Sequence, residues 1–253
     1  MPKRDLVFGR QLMNAAGSLG FGPDRRAPVE WDGFGAFITN PVSMRPRAAA
    51  ESPALVEYPG GFLLHTGLPN PGFRSVIQQH RWSWEQAPLP IIVHLMADRP
   101  EETKDMVRAL EGLDNILAVE LGFAPLLTDD LIVLAVEMSM GEMPVIVSLP
   151  ADQLLRLGPQ VLERGATALS IPAPRGALAR EGTPIAGRLF GPALFPVALE
   201  LVRAASKIGL PIIGGGGVFS NDDARAMLAA GAMAVELDVS LWVPGGNKKS
   251  LVN

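Results

Sequence analysis

Eight short runs rich in valine, isoleucine and leucine, with helical segments between most of them, constrain this chain more than any other feature. They are Leu12–Ala16, Ala36–Thr39, Ile91–Met96, Leu117–Leu121, Val145–Leu149, Ala168–Ile171, Pro211–Gly214 and Ala234–Leu237. Each is nearly continuous rather than alternating, the pattern of parallel strands buried on both faces. Helical patterns are predicted from Pro100 to about Glu111, from a Thr128 cap to near Gly141, over Asp152–Glu163, over Ala193–Lys207, and from a Ser220 cap to Gly231. A glycine follows each, as at Gly112, Gly165 and Gly209, because glycine accepts the left-handed conformation that ends a helix. In 253 residues this order predicts an α/β chain folded as one TIM (β/α)8 barrel domain over residues 1–253. A doubly wound sheet is the rival, but no Gly-x-Gly-x-x-Gly follows the first strand. The Pro- and Gly-rich stretch at about 41–90 predicts an irregular insertion over the barrel mouth.

Composition removes several functions. Lys plus Arg is 22 and Asp plus Glu is 26, a net charge of −4 with no field to hold nucleic acid. There is no cysteine, so disulfides, thiolate metal sites and a cysteine nucleophile are excluded. His65, His80 and His94 are too far apart for a local zinc motif, so no metal is expected, and His94, inside an apolar run, reads as a core imidazole. No apolar run reaches the roughly 18 residues of a membrane span, and the N-terminus lacks a secretory pattern. A cytoplasmic protein without membrane insertion is the expectation.

The sharpest local signal is Ile212-Ile213-Gly214-Gly215-Gly216-Gly217-Val218-Phe219-Ser220, a strand running through four glycines into a capped helix. Barrel phosphate sites favour this position, where glycine lets backbone N–H groups approach an anion. The alternative is a tight turn needing positive φ. Asn14–Gly22 and Gly61–Gly72 also place small residues where a flat ring can lie against backbone. Glu120 and Glu236 sit in buried-looking strands, as acids of raised pKa or as partners of an arginine. Trp31, Trp82 and Trp84 are expected to pack the insertion onto the barrel.

Taken in order, these motifs resemble the dihydroorotate dehydrogenase family, FMN-dependent barrels of the class 1 type. Met13-Asn14-Ala15-Ala16-Gly17 is similar to its first-strand motif, and Gly35–Thr39 with Arg45-Pro46-Arg47 to its second. Gly67-Leu68-Pro69-Asn70-Pro71-Gly72 is similar to its substrate loop, and Gly187–Leu194 with Gly214–Val218 to its FMN-phosphate region. The resemblance implies FMN held by Ala16, Gly17, Gly191, Gly216 and Gly217, a substrate near Asn40, His65 and Asn70, and a homodimer. His65, placed on the active-site loop, is the candidate for proton transfer.

The departures carry equal weight. Where the family has a lysine after Thr39, this chain has Asn40; where a second lysine is expected in the fifth strand, it has Ser148. The family's Asn-x-Ser-Cys-Pro-Asn segment, with its base, looks like Gly122-Phe123-Ala124-Pro125 here, which has no titratable group. An expected asparagine is Pro172, another is His65, and Gly-Thr at the end of the eighth strand is Asp238-Val239. A carboxylate beside a phosphate dianion is repulsive, so Asp238 is expected to turn away, toward a helix cap or an arginine such as Arg188. The expectation is therefore an FMN-binding oxidoreductase that does not oxidise dihydroorotate. Its alternatives are a non-catalytic barrel serving as a partner subunit and a barrel for another phosphorylated small molecule.

Overall fold

The computed structural model describes residues 4–24, 26–27, 29–180 and 182–242. Eight parallel strands form a nearly closed barrel: β1 (Leu12–Asn14), β2 (Phe37–Ile38), β5 (Ile91–Met96), β6 (Ile116–Gly122), β7 (Val145–Ser148), β8 (Ala168–Ser170), β11 (Ile212–Gly215) and β12 (Ala234–Leu237). The ladders run from β2 through β5, β6, β7, β8, β11 and β12 to β1, and a Met13–Ala36 bridge closes the seam. Asn14 reinforces that seam from within: its Nδ2 donates to Ile38 O at 2.7 Å and its Oδ1 accepts from Ile38 N at 3.0 Å. All eight predicted strands are present, their ends within two residues of expectation, and the TIM barrel stands.

Among the described residues six α-helices accompany the strands: α1 (Phe73–Glu85), α2 (Pro100–Glu111), α3 (Asp129–Met138), α4 (Ala151–Glu163), α5 (Phe195–Lys207) and α6 (Asn221–Ala229). Ser220 caps α6 as expected: its hydroxyl accepts from Asp223 N, and the Asp223 carboxylate accepts from Ser220 N. Ser220→Ala is expected to cost about 1 kcal/mol, read as a lowered denaturation midpoint. Thr128 stands at the start of α3, but its hydroxyl makes no capping bond, and Asp129 pairs with Arg156 of α4 instead. Gly165, Gly209 and Gly231 take positive φ after their helices, whereas Gly112 has φ −87°.

The stretch 41–90 is more ordered than an irregular insertion. It holds a hairpin, β3 (Ala54–Tyr58) and β4 (Gly61–His65), followed by α1. A second hairpin, β9 (Arg175–Arg180) and β10 (Thr183–Phe190), lies between β8 and α5, and the two join as one antiparallel sheet in the order β3-β4-β10-β9. Both hairpins leave the carboxyl ends of barrel strands, so this sheet roofs the end where barrel sites are built. Gly191 (φ +137°) lets the hairpins meet, since a Cβ there would stand 2.3 Å from Gly60 O. Of the tryptophans, Trp84 is fully buried with its indole donating to Phe21 O, Trp31 packs edge-on to Phe34 and Phe37, and Trp82 is 76% exposed. Trp82 therefore does not pack the insertion, because it lies on the solvent face of α1. Pro244–Lys249, whose prolines, glycines and lysines read as a flexible end, lies outside the described residues.

Candidate functional site at the barrel mouth

Alternation along the strands stacks the barrel interior in layers. Met13, Ile38, Ile92, Ala118, Ile146, Ala168, Ile213 and Ala234 form one apolar cluster. Two residues further along each strand, the same face presents His94 on β5, Glu120 on β6, Ser148 on β7, Ser170 on β8, Gly215 on β11 and Glu236 on β12. A polar layer thus sits directly on an apolar one, below the roof.

Glu120 is the hub of that layer. Its Oε2 lies 2.6 Å from His94 Nδ1, its Oε1 accepts from the Ser170 hydroxyl, and it is 1% exposed. Burial raises the Glu120 carboxyl, but the His94 charge and hydrogen bonds from His94, Ser170 and Glu236 outweigh burial and hold it below its ordinary value. Glu236 goes the other way: burial, then the charge of Glu120 beside it, push it well above the usual carboxylate range. The pair therefore shares one proton, held on Glu236 and offered to Glu120. Gly122 makes room for the imidazole, since a Cβ there would stand 2.4 Å from His94 Nε2, and the His94 backbone N–H donates to Thr39 Oγ1 at 3.0 Å. Glu120 was expected as a raised-pKa acid or as the partner of an arginine. It is neither, because histidine and serine from the neighbouring strands reach it first.

At the carboxyl end of β12, Asp238 is 5% exposed. Burial pushes its carboxyl up to about 6, with the nearby amides of Val239, Gly217 and Ser240 pulling the other way. Its Oδ1 has no hydrogen-bond partner among the described residues, and the Ser240 hydroxyl is equally unpartnered. Asp238 neither caps the following turn nor pairs with Arg188, whose Nη1 donates to Ala173 O at 2.8 Å. The side chain stays at the corner instead of turning away, held against the amide of Gly217. The glycines there are packing devices: a Cβ on Gly217 (φ +72°) would stand 2.5 Å from Phe195 N, and one on Gly216 (φ +96°) would stand 3.4 Å from Ala198 Cβ. The loop has the positive φ of the tight-turn reading at Gly216 and Gly217, and the Asp238 carboxyl lies near the Gly217 amide.

The other expected site residues are largely engaged within the fold. Asn40 accepts from Gly20 N at 3.1 Å, tying β2 to the loop after β1. That loop carries Ala16, packed against the interior apolar cluster, and Gly17 at φ +87°. Asn70 Oδ1 accepts from Ser43 N, Ser43 Oγ and Gly72 N, and its Nδ2 donates to Leu68 O, so this side chain is a keystone of its loop. His65 ends β4, where it pairs with Ala54, and lines an open groove with Arg47, Glu51 and Gly67, its side chain making no hydrogen bond among the described residues. The structure does not bring it into the Glu120 network. Trp242, which sequence reasoning missed, donates to Ser18 O at 2.8 Å and contacts the Phe190 ring, joining the loop after β1 to the roof. No helix among the described residues is long and apolar enough to cross a membrane, and no three acidic or histidine side chains there are placed to hold a metal ion.

The chain is 30% identical over 260 residues to the catalytic subunit of dihydroorotate dehydrogenase B (NAD(+)) of Trichlorobacter lovleyi, covering 94% of this chain and 86% of that protein. The same subunit of Geotalea daltonii is 30% identical over 89% of this chain and 81% of its own length, and that of Pyrococcus furiosus 28% over 95% and 86%. The sequence model of the dihydroorotate dehydrogenase family matches residues 4–123 and 174–248. Pro125, Ser148 and Pro172 all fall in the interval it leaves unmatched. With most of its length matched, the chain belongs to the dihydroorotate dehydrogenase family, a family of flavoprotein oxidoreductases.

Proposed function

We propose that this chain is a member of the family that does not oxidise dihydroorotate and does not hold FMN by its phosphate, and that it serves as a ligand-binding barrel alongside a partner subunit. The Asp238 carboxyl at the Gly217 corner carries this reading. A phosphate dianion at that corner would face a buried carboxyl with an unpartnered oxygen, at a cost of several kcal/mol in a site so poorly solvated. Protonating Asp238 removes the repulsion but spends free energy above about pH 6.

The rest of the mouth supports the same reading. Asn40 and Ser148 supply no cation beside a flavin's pyrimidine ring, and Gly122–Pro125 offers no base for the C5 proton of dihydroorotate. Of the buried titratable groups under the roof, His94 and Glu120 are bound to each other, and Glu120 also to Ser170, while Glu236 and Asp238 each keep one oxygen without a partner among the described residues. The relatives are named catalytic subunits, which supports a partner subunit here. A second reading, an FMN oxidoreductase of another substrate, is favoured by the small-residue loop at Ala16–Gly17 and by the positive-φ glycines Gly216 and Gly217. Phosphorylated ligands other than FMN meet the same obstacle at Asp238.

Colour and turnover separate the readings. Freshly purified protein is expected to show no absorbance near 450 nm, to release no flavin in acid, and to leave dihydroorotate unoxidised. Stoichiometric FMN with turnover of any donor would establish the second reading.

A further inference from the structure

We propose that the roof of the barrel mouth binds the oxyanion of a small ligand, a carboxylate or a phosphate, through Arg188 and Arg175. The site is distinct from the Gly217 corner, and the inference stands whether or not flavin binds.

Arg175 on β9 and Arg188 on β10 are directly opposite in the antiparallel ladder, so their side chains leave the same face of the roof with Cβ atoms about 5 Å apart. Like charges so placed repel, and a hairpin gains nothing from them unless an anion lies between. Neither guanidinium has a carboxylate within 4.0 Å among the described residues. Arg188 makes one hydrogen bond there, to Ala173 O, and Arg175 makes none through its side chain.

Arg188 is nonetheless partly buried, whereas Arg175 opposite it is exposed. Burial, then the neighbouring charge of Arg175, push its guanidinium down to about 10, and only the field of Glu120 opposes them. Arg175 is lowered by burial and by Arg47, with Asp98 opposing. The direction is unusual for arginine, whose planar fork is ordinarily placed beside an acid. Ala173 follows β8, and Glu120 lies on the interior of β6, so the Arg188 head stands over the open end of the barrel. A partly buried cation with no carboxylate in contact and with free donors at a barrel mouth is the complement of an oxyanion, which the two forks can grip bidentately. The mouth is consequently polarised, with cations on the β9–β10 side and the Asp238 acid on the β12 side.

The test uses the full chain dialysed into chloride buffer and titrated with orotate, with uracil (the same ring without a carboxylate), and with inorganic phosphate, followed by calorimetry and by thermal stability. Orotate or phosphate is expected to bind and to raise the melting temperature, and uracil to do neither. A response to orotate alone assigns a carboxylate site, and a response to phosphate alone a phosphate site. Arg188→Leu is expected to weaken binding about 10- to 100-fold, the loss of charge-assisted hydrogen bonds, while leaving the ligand-free protein as stable as before or more so. Arg175→Gln supplies a milder second variant should Arg188→Leu fold poorly, and the exposed Arg225→Leu is the control. No response to either anion, or an undiminished response in the Arg188 and Arg175 variants, overturns the proposal.

Discussion

Glu120→Ala is expected to lower the stability of the chain by about 3–5 kcal/mol, read from the midpoint and slope of denaturant unfolding. The deletion removes the acceptor that both His94 Nδ1 and the Ser170 hydroxyl depend on, in a place with no water to replace it. It also strips Glu236 of the carboxylate to which it offers its proton. Three buried polar groups are orphaned by one substitution, and each costs about 1–3 kcal/mol. The cavity left by the side chain adds to the loss. Because the members of the network depend on one another, His94→Ala made on top of Glu120→Ala should cost much less than it does alone. A loss below about 1 kcal/mol for Glu120→Ala, or strict additivity of the two, would contradict this account of the barrel interior.

The second large effect depends on pH. Asp238 is pushed up to about 6 in the folded chain from an ordinary value of 3.8. Between those values the folded state binds more protons than the unfolded one, so stability is fullest below about pH 4 and falls as pH rises through about 6. The span corresponds to about 3 kcal/mol. Glu236, also raised, acts in the same direction, and Glu120, lowered, acts against it. The comparison that isolates Asp238 is therefore Asp238→Asn against the parent chain. The variant should be more stable at pH 8, by up to about 3 kcal/mol, and the advantage should vanish toward pH 4. A difference that does not change with pH would show that the Asp238 carboxyl is solvated rather than buried.

The barrel was legible because its strands are covered on both faces. Ile91–Met96 and Val145–Ser148 are buried along their whole length but for Met96, and such runs announce themselves as continuous apolar segments. The roof was not legible. β3 alternates buried and exposed residues, and β9 and β10 carry arginines, glycines and a proline, because a sheet covered on one face needs no apolar run. Its central pairing, β4 with β10, joins residues more than a hundred positions apart, which no local pattern reveals.

The site shows a similar division. The residues at positions 40, 125, 148, 172 and 238 were readable one by one, and the expectation that Asp238 repels a phosphate came from charge alone. The network under the roof was not readable. His94, Glu120 and Ser170 come from three strands and meet only because two-residue alternation on adjacent parallel strands puts them in one layer. The facing arginines were hidden for the same reason, since Arg175 and Arg188 become neighbours only through the register of a hairpin absent from the apolar pattern.

Calorimetric titration of the flavin-free chain with FMN at pH 8, run beside Asp238→Gly, tests the central claim most directly. The parent chain is predicted to show no saturable binding at micromolar flavin, and the glycine variant, with the amides of Gly217 and Ser240 uncovered, to gain affinity. Tight one-to-one binding by the parent chain, weakened or unchanged by Asp238→Gly, would contradict the claim.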